Sequence, residues 1–184
     1  MYHIPNDKRA YRSAERLCDA LLQCLKKKDL KAISISDLHH VCYVSRATFY
    51  RLFDSVDDVV IYQCDRLFDG LAEELSGKPE LTLKDLSILM IRRWLAVPEL
   101  MDAIVKHHLI GALIQAHERN DSILYTALGA RLPKDPAARD YLMCTLSGLL
   151  PIMVEAWQRG GRKDSPEEIY EHMKQSVDLI HQLL

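Results

Sequence analysis

The stretch Ile33-Ser34-Ile35-Ser36-Asp37-Leu38, followed by Val44-Ser45-Arg46-Ala47-Thr48-Phe49-Tyr50-Arg51-Leu52-Phe53, decides how this chain is read. Ser34 or Ser36 suits the cap of a short helix ending near Cys42-Tyr43, and Ser45 the cap of a second from Arg46 to Phe53. A serine oxygen in that position accepts from the orphan N–H groups of a first turn. At about 100° per residue, Phe49, Leu52 and Phe53 fall on one side of the second helix. Arg46, Ala47, Tyr50 and Arg51 spread over the other. Two short helices joined by a tight turn and braced by longer ones follow the helix-turn-helix plan, in which the second helix enters the major groove. There Arg pairs with guanine edges, Ala meets a thymine methyl, and Tyr and Thr hydroxyls bond phosphate. Taken alone, the same face also suits an ordinary solvated helix.

Working outward, Asp7 or a neighbour suits the cap of a first helix in which Ala14, Leu17, Cys18, Leu21, Leu22 and Leu25 recur at helical spacing until Lys26-Lys27-Lys28-Asp29. Asp54-Ser55 breaks and recaps the chain before a long fourth helix reaching about Leu75. Gly77-Lys78-Pro79 reads as a hinge. Further helices follow over 82–96, 99–118 in two pieces around Gly111, 121–131, 137–159 and 166–183, and Pro151 kinks the helix over 137–159 rather than ending it. With seven Gly and seven Pro in 184 residues, frequent turns are excluded. The expected fold is all-α, about nine helices, with a helix-turn-helix head of three short helices and a helical body. The head is expected over 1–55, the fourth helix over 56–76 as connector, and the body over 77–184.

Charge divides the same way. Residues 1–53 carry a net +5 and the remainder −7, although the whole chain is only −2. A basic head on an acidic body suits a module that binds a polyanion. Five cysteines, odd in number and without C-x-x-C spacing, argue against a disulfide framework and predict a cytoplasmic protein. No apolar run approaches the ~20 residues needed to span a bilayer, so no membrane is expected.

The run from Ile35 to Phe53 resembles the head signature of the TetR family of bacterial transcription regulators, V-x-D-I-A-x-x-A-G-V-S-x-x-T-F-Y-x-H-F, without a gap. Gly148-Leu149-Leu150, Glu155-Ala156-Trp157-Gln158-Arg159-Gly160-Gly161 and Ser165-Pro166-Glu167-Glu168-Ile169 resemble that family's last two helices. The resemblance implies that Ser45 caps the recognition helix and that Arg46 and Ala47 face bases. Thr48, Tyr50 and Arg51 then contact phosphate or a base edge, and Ser34 contacts phosphate. Four residues depart from the pattern. Asp29 and Tyr43 replace Gly, His39 replaces a small Ala, and Val56 stands where a Lys commonly reaches phosphate. A Tyr at positive φ costs about 1 kcal/mol, and the ring is expected to be at least half buried as compensation, so that Tyr43→Gly destabilises.

In the body, Leu142, Leu146, Leu149, Leu150, Met153 and Trp157 form one apolar stripe, and Ile169, Met173, Val177, Ile180 and Leu184 another. Burial within one chain accounts for such stripes. So does docking against a symmetry mate as a four-helix interface, and a two-fold reader of DNA half-sites favours a homodimer. The resemblance also implies a small-molecule effector cavity. Trp94, His107, His108, His117 and Met143 are its candidate residues, of which His107 and His108 point about 100° apart, so at most one of that pair faces inward.

No hydrolase, nucleotide-binding or zinc motif occurs, so no catalytic residue, metal or cofactor is expected and the chain does not read as an enzyme. Cys18 and Cys24 read as small core residues. Two readings stand. One is a homodimeric regulator, a repressor by resemblance, that binds a double-stranded DNA operator under the control of a small-molecule effector. The other is a TetR-like helical co-regulator with weakened DNA contacts, acting through a protein partner.

Overall fold

A computed structural model describes residues 2–75, 82–129 and 132–183. Among these the chain is all-α, with eleven α-helices, one 3-10 turn and an isolated bridge between Tyr2 and Phe53. The expected hinge Gly77-Lys78-Pro79, the connector boundary at 76 and Leu184 lie outside the described residues. Among the described residues no helix is long and apolar enough to cross a membrane.

The chain divides into two compact units, Met1–Arg66 with Val97–Ala112, and Leu67–Ala96 with Leu113–Leu184. This grouping differs from a simple division at residue 77. In the first unit α1 (Lys8–Leu25) packs against α2 (Ile35–Cys42), α3 (Arg46–Leu52), α4 (Val56–Arg66) and α7 (Pro98–Lys106). Ala14, Leu17, Cys18 and Leu21 of α1 are completely buried, as are Leu38, Phe49, Leu52 and Phe53. Leu100, Met101 and Ile104 of α7 are equally buried, which is why a helix distant in sequence belongs with the head. Cys18 and Cys24 are small core residues, as their spacing suggested.

The second unit holds α5 (Leu71–Leu75), α6 (Leu83–Leu95), α9 (Asp121–Leu128), α10 (Pro136–Arg159) and α11 (Pro166–Leu183); the boundary between units falls within α8 (Ile110–Arg119). Leu86, Leu128, Met143 and Leu146 form one apolar cluster here. The expected long fourth helix is two. It stops at Arg66 and resumes at Leu71, because Gly70 takes φ +68, which a helix does not accommodate. Arg93 clasps that break, donating to the carbonyls of Leu67 at 2.9 Å and Asp69 at 2.7 Å and pairing with Glu74 at 2.8 Å. The expected division of 99–118 falls at residues 107–109, where His108 has φ 57, rather than at Gly111. α10 continues through Pro151 for 24 residues.

Candidate nucleic-acid interface

Both short helices of the head are capped as their serines require. Ser34 Oγ accepts from the Asp37 N–H at 3.2 Å while the Asp37 carboxylate accepts from the Ser34 N–H at 2.9 Å, a reciprocal box worth about 1 kcal/mol. Lys28 lies 2.5 Å from the same carboxylate. These bonds, Lys28 first, hold Asp37 well below the ordinary carboxylate range. At α3, Ser45 Oγ accepts from the Thr48 N–H at 3.1 Å and donates to the Thr48 hydroxyl at 3.0 Å.

The second helix divides cleanly into two faces. Phe49, Leu52 and Phe53 are fully buried, while Ser45, Arg46, Ala47, Tyr50 and Arg51 are exposed and Thr48 is half-buried. Arg46 reaches back to α2, donating from Nη2 to Ser36 Oγ at 2.6 Å, so its guanidinium spans both helices at the exposed face. Ser34 and Lys26 to Lys28 are exposed as well. Every residue that the sequence nominates for DNA therefore belongs to the head unit, and all but Thr48 are exposed.

Three features of the head escape a reading of the sequence. Tyr43 is the left-handed cap of α2, with φ 57 and ψ 18, as a residue in place of Gly must be. Its ring, however, is 78% exposed, which overturns the expected burial. In that conformation the side chain leaves the packed side of the helix, and Cys42 and Val44 fill the core on either side. The turn is held instead by His39, whose Nδ1 lies 2.8 Å from the Val44 carbonyl, and by the Arg16 guanidinium, which donates to the Cys42 carbonyl. Finally, Asp58 at the start of α4 is buried and accepts from the N–H groups of Asp54 at 3.0 Å and Ser55 at 3.1 Å. One of the three acids that surround Val56 is thus a cap, and Asp54 and Asp57 stay exposed.

Asp29, the other departure from Gly, caps the 3-10 turn Leu30–Ala32 and pairs with Lys106 at 2.5 Å and His107 at 3.0 Å. The Lys106 hydrogen bond, followed by the Lys31 N–H, holds its carboxyl down to about 2. His107 thus faces Asp29 within the first unit. His108 is exposed and, like His107, belongs to the first unit, whereas Trp94, His117 and Met143 belong to the second. The partner of His107 stands 78 residues earlier in the chain, invisible to a local reading.

In the second unit, His117 and Trp94 are buried edge to face, with centroids 5.2 Å apart. Met143 is buried in the cluster of Leu86, Leu128 and Leu146. Among the nominated interface residues, Leu146 and Met173 are buried within the chain, and Leu142, Leu149, Met153 and Trp157 are half-buried. The Trp157 indole donates to the Asp164 carbonyl at 2.9 Å. Val177 and Ile180 remain exposed, together with Leu179 and Leu183 on α11 and Tyr141 and Ile152 on α10. Among the described residues no group of His, Cys, Asp and Glu is arranged to hold a metal.

The fold and head define an all-helical protein built on a helix-turn-helix. No family model and no curated protein matches the chain. Its fold is similar to the crystal structure of Lin0861 from Listeria innocua, with a TM-score of 0.76 and 18% identity over 97% of this chain and 96% of that one. Likeness at that identity is a likeness of fold.

Proposed function

We propose that this protein is a homodimeric transcriptional repressor of TetR type that binds a double-stranded DNA operator through α3 and is controlled by a small-molecule effector. The observation that carries the reading is the division of α3, in which an aromatic and aliphatic face is wholly buried while Arg46, Ala47, Tyr50 and Arg51 face outward. A helix so short contributes little stability itself, so the exposed set is free to serve recognition. The exposed apolar residues of α10 and α11 support a second copy as partner. A dimer presents two recognition helices to half-sites about 34 Å apart.

Selection of bound duplexes from a random pool, followed by titration of the selected sequence at rising salt, tests this. The expected result is a two-fold symmetric site and a steep loss of affinity with salt, because each neutralised phosphate releases counterions. Failure to enrich any sequence, even at low salt, favours a second reading. In it the scaffold is a co-regulator that acts through a protein partner. The exposed Asp54 and Asp57 around α4, with Val56 in place of a cation, support that alternative.

A further inference from the structure

His117 is 2% exposed, and neither ring nitrogen has a hydrogen-bond partner; the Nε1 of the fully buried Trp94 has none either. Phe68 and Trp94 stand edge-on to the imidazole, with centroids at 4.9 Å and 5.2 Å, so the ring is held by apolar contacts alone. Burial pushes His117 down to about 4. At neutral pH it is therefore an uncharged imidazole with one donor and one acceptor nitrogen. Buried polar atoms in native proteins are nearly always paired, which makes two unpaired nitrogens on one ring a sign of something that binds there.

A space lies beside His117. His117, Ser87, Met90 and Leu150, with Leu83 and Leu146, enclose a cavity of about 20 Å³, room for one water-sized group. Leu83 and Leu146 also line an open trough of about 380 Å³, completed by Thr82, Leu128, Leu132 and Leu142. A small recess that takes in His117 and Ser87 and a larger apolar trough thus share two lining leucines.

We propose that recess and trough form one binding site for an uncharged amphiphile, a hydroxyl or carbonyl head hydrogen-bonded to His117 and a linear apolar tail lying along Leu128, Leu132 and Leu142. Among the described residues the lining contains no cation, so a carboxylate head would be desolvated there without a charge partner. A lone water would satisfy one nitrogen but leave the trough uncovered. The site deepens the effector-controlled reading, since it names the class of molecule sensed, but its binding chemistry stands without DNA.

Calorimetric titration of the full chain with 1-butanol, 1-hexanol, 1-octanol and octanoate at pH 7.5 tests the proposal. Affinity is expected to rise about fourfold per methylene, and octanoate is expected to bind at least tenfold more weakly than 1-octanol. His117→Phe, which keeps a ring and removes both nitrogens, should fold at least as stably and bind 1-octanol at least tenfold more weakly. Leu142→Glu, at a half-buried position, should abolish the chain-length dependence. No heat from any alcohol would make the cavity a water site and overturn the proposal, as would equal binding of octanoate or unchanged affinity in His117→Phe. Duplex affinity of the unliganded protein is measured separately by anisotropy. A chain that binds 1-octanol and ignores every duplex keeps this site and loses the regulator reading, and the reverse result does the opposite.

Discussion

The Nδ1 of His39 donates to the carbonyl of Val44 across the turn between α2 and α3, at 2.8 Å. Because a carbonyl only accepts, this nitrogen carries the proton. The bond ties the interior of α2 to the residue before the Ser45 cap. His39→Ala should cost about 0.5–1.5 kcal/mol in urea unfolding, and it should weaken duplex binding similarly on selected and random sequence, because the turn sets the angle of α3 without touching a base. An unchanged midpoint would mean that Arg16 alone holds the turn.

Tyr43 bears the opposite sign. With φ 57 and a ring that is 78% exposed, replacement by Gly relieves backbone strain and gives up little packing. A gain of about 1 kcal/mol is expected, which in a chain of this size raises the melting temperature by about 2–4 °C. A lowered melting temperature would show that the ring contributes packing its exposure conceals.

Arg46→Ala should weaken binding to the selected operator by ~1–3 kcal/mol and hardly change binding to random duplex, if its guanidinium leaves Ser36 to read a base. Anisotropy titrations on both duplexes decide it. Equal losses would make Arg46 a phosphate contact.

Ile180 is 57% exposed and Met173 is 6% exposed on the same helix. Ile180→Asp is therefore expected to leave the fold intact and yield monomers in sedimentation, whereas Met173→Asp buries a charge and should unfold the unit. An Ile180→Asp variant that still sediments as a dimer would remove α11 from the interface.

The pH dependence of stability has a defined direction. His117 ionises at about 4 when folded, against an ordinary 6.5, so the unfolded chain binds more protons between those values. Its contribution is complete above about pH 6.5 and is lost as pH falls towards 4, on the order of 1 kcal/mol per pH unit within that window. His117→Phe should flatten that limb of a urea-midpoint profile. Asp29, held down to about 2 from 3.8, gives way only below that window, so the two groups are separable. A wild-type profile already flat from pH 4 to 6.5 would contradict the burial argument.

Local physical chemistry determined much of this molecule. The serine oxygen at Ser45 meets an orphan N–H group within three residues, and the apolar spacing of Phe49, Leu52 and Phe53 follows from helical geometry, so the two short helices of the head and the exposed face of α3 were legible from the order of residues, while the choice of Ser34 over Ser36 as cap was not. Tertiary structure alone decided the rest. His107 faces Asp29, far away in sequence and 3.0 Å from it, and α7 joined the head unit because Leu100, Met101 and Ile104 are buried there. Whether Tyr43 pointed inward or outward depended on the chain's course through a left-handed cap and on which neighbours already filled the core. Periodicity nominates an apolar residue for burial. Only the packing of distant helices chooses which ones are covered, and it left Val177 and Ile180 in the open while it enclosed His117 with neither nitrogen bonded.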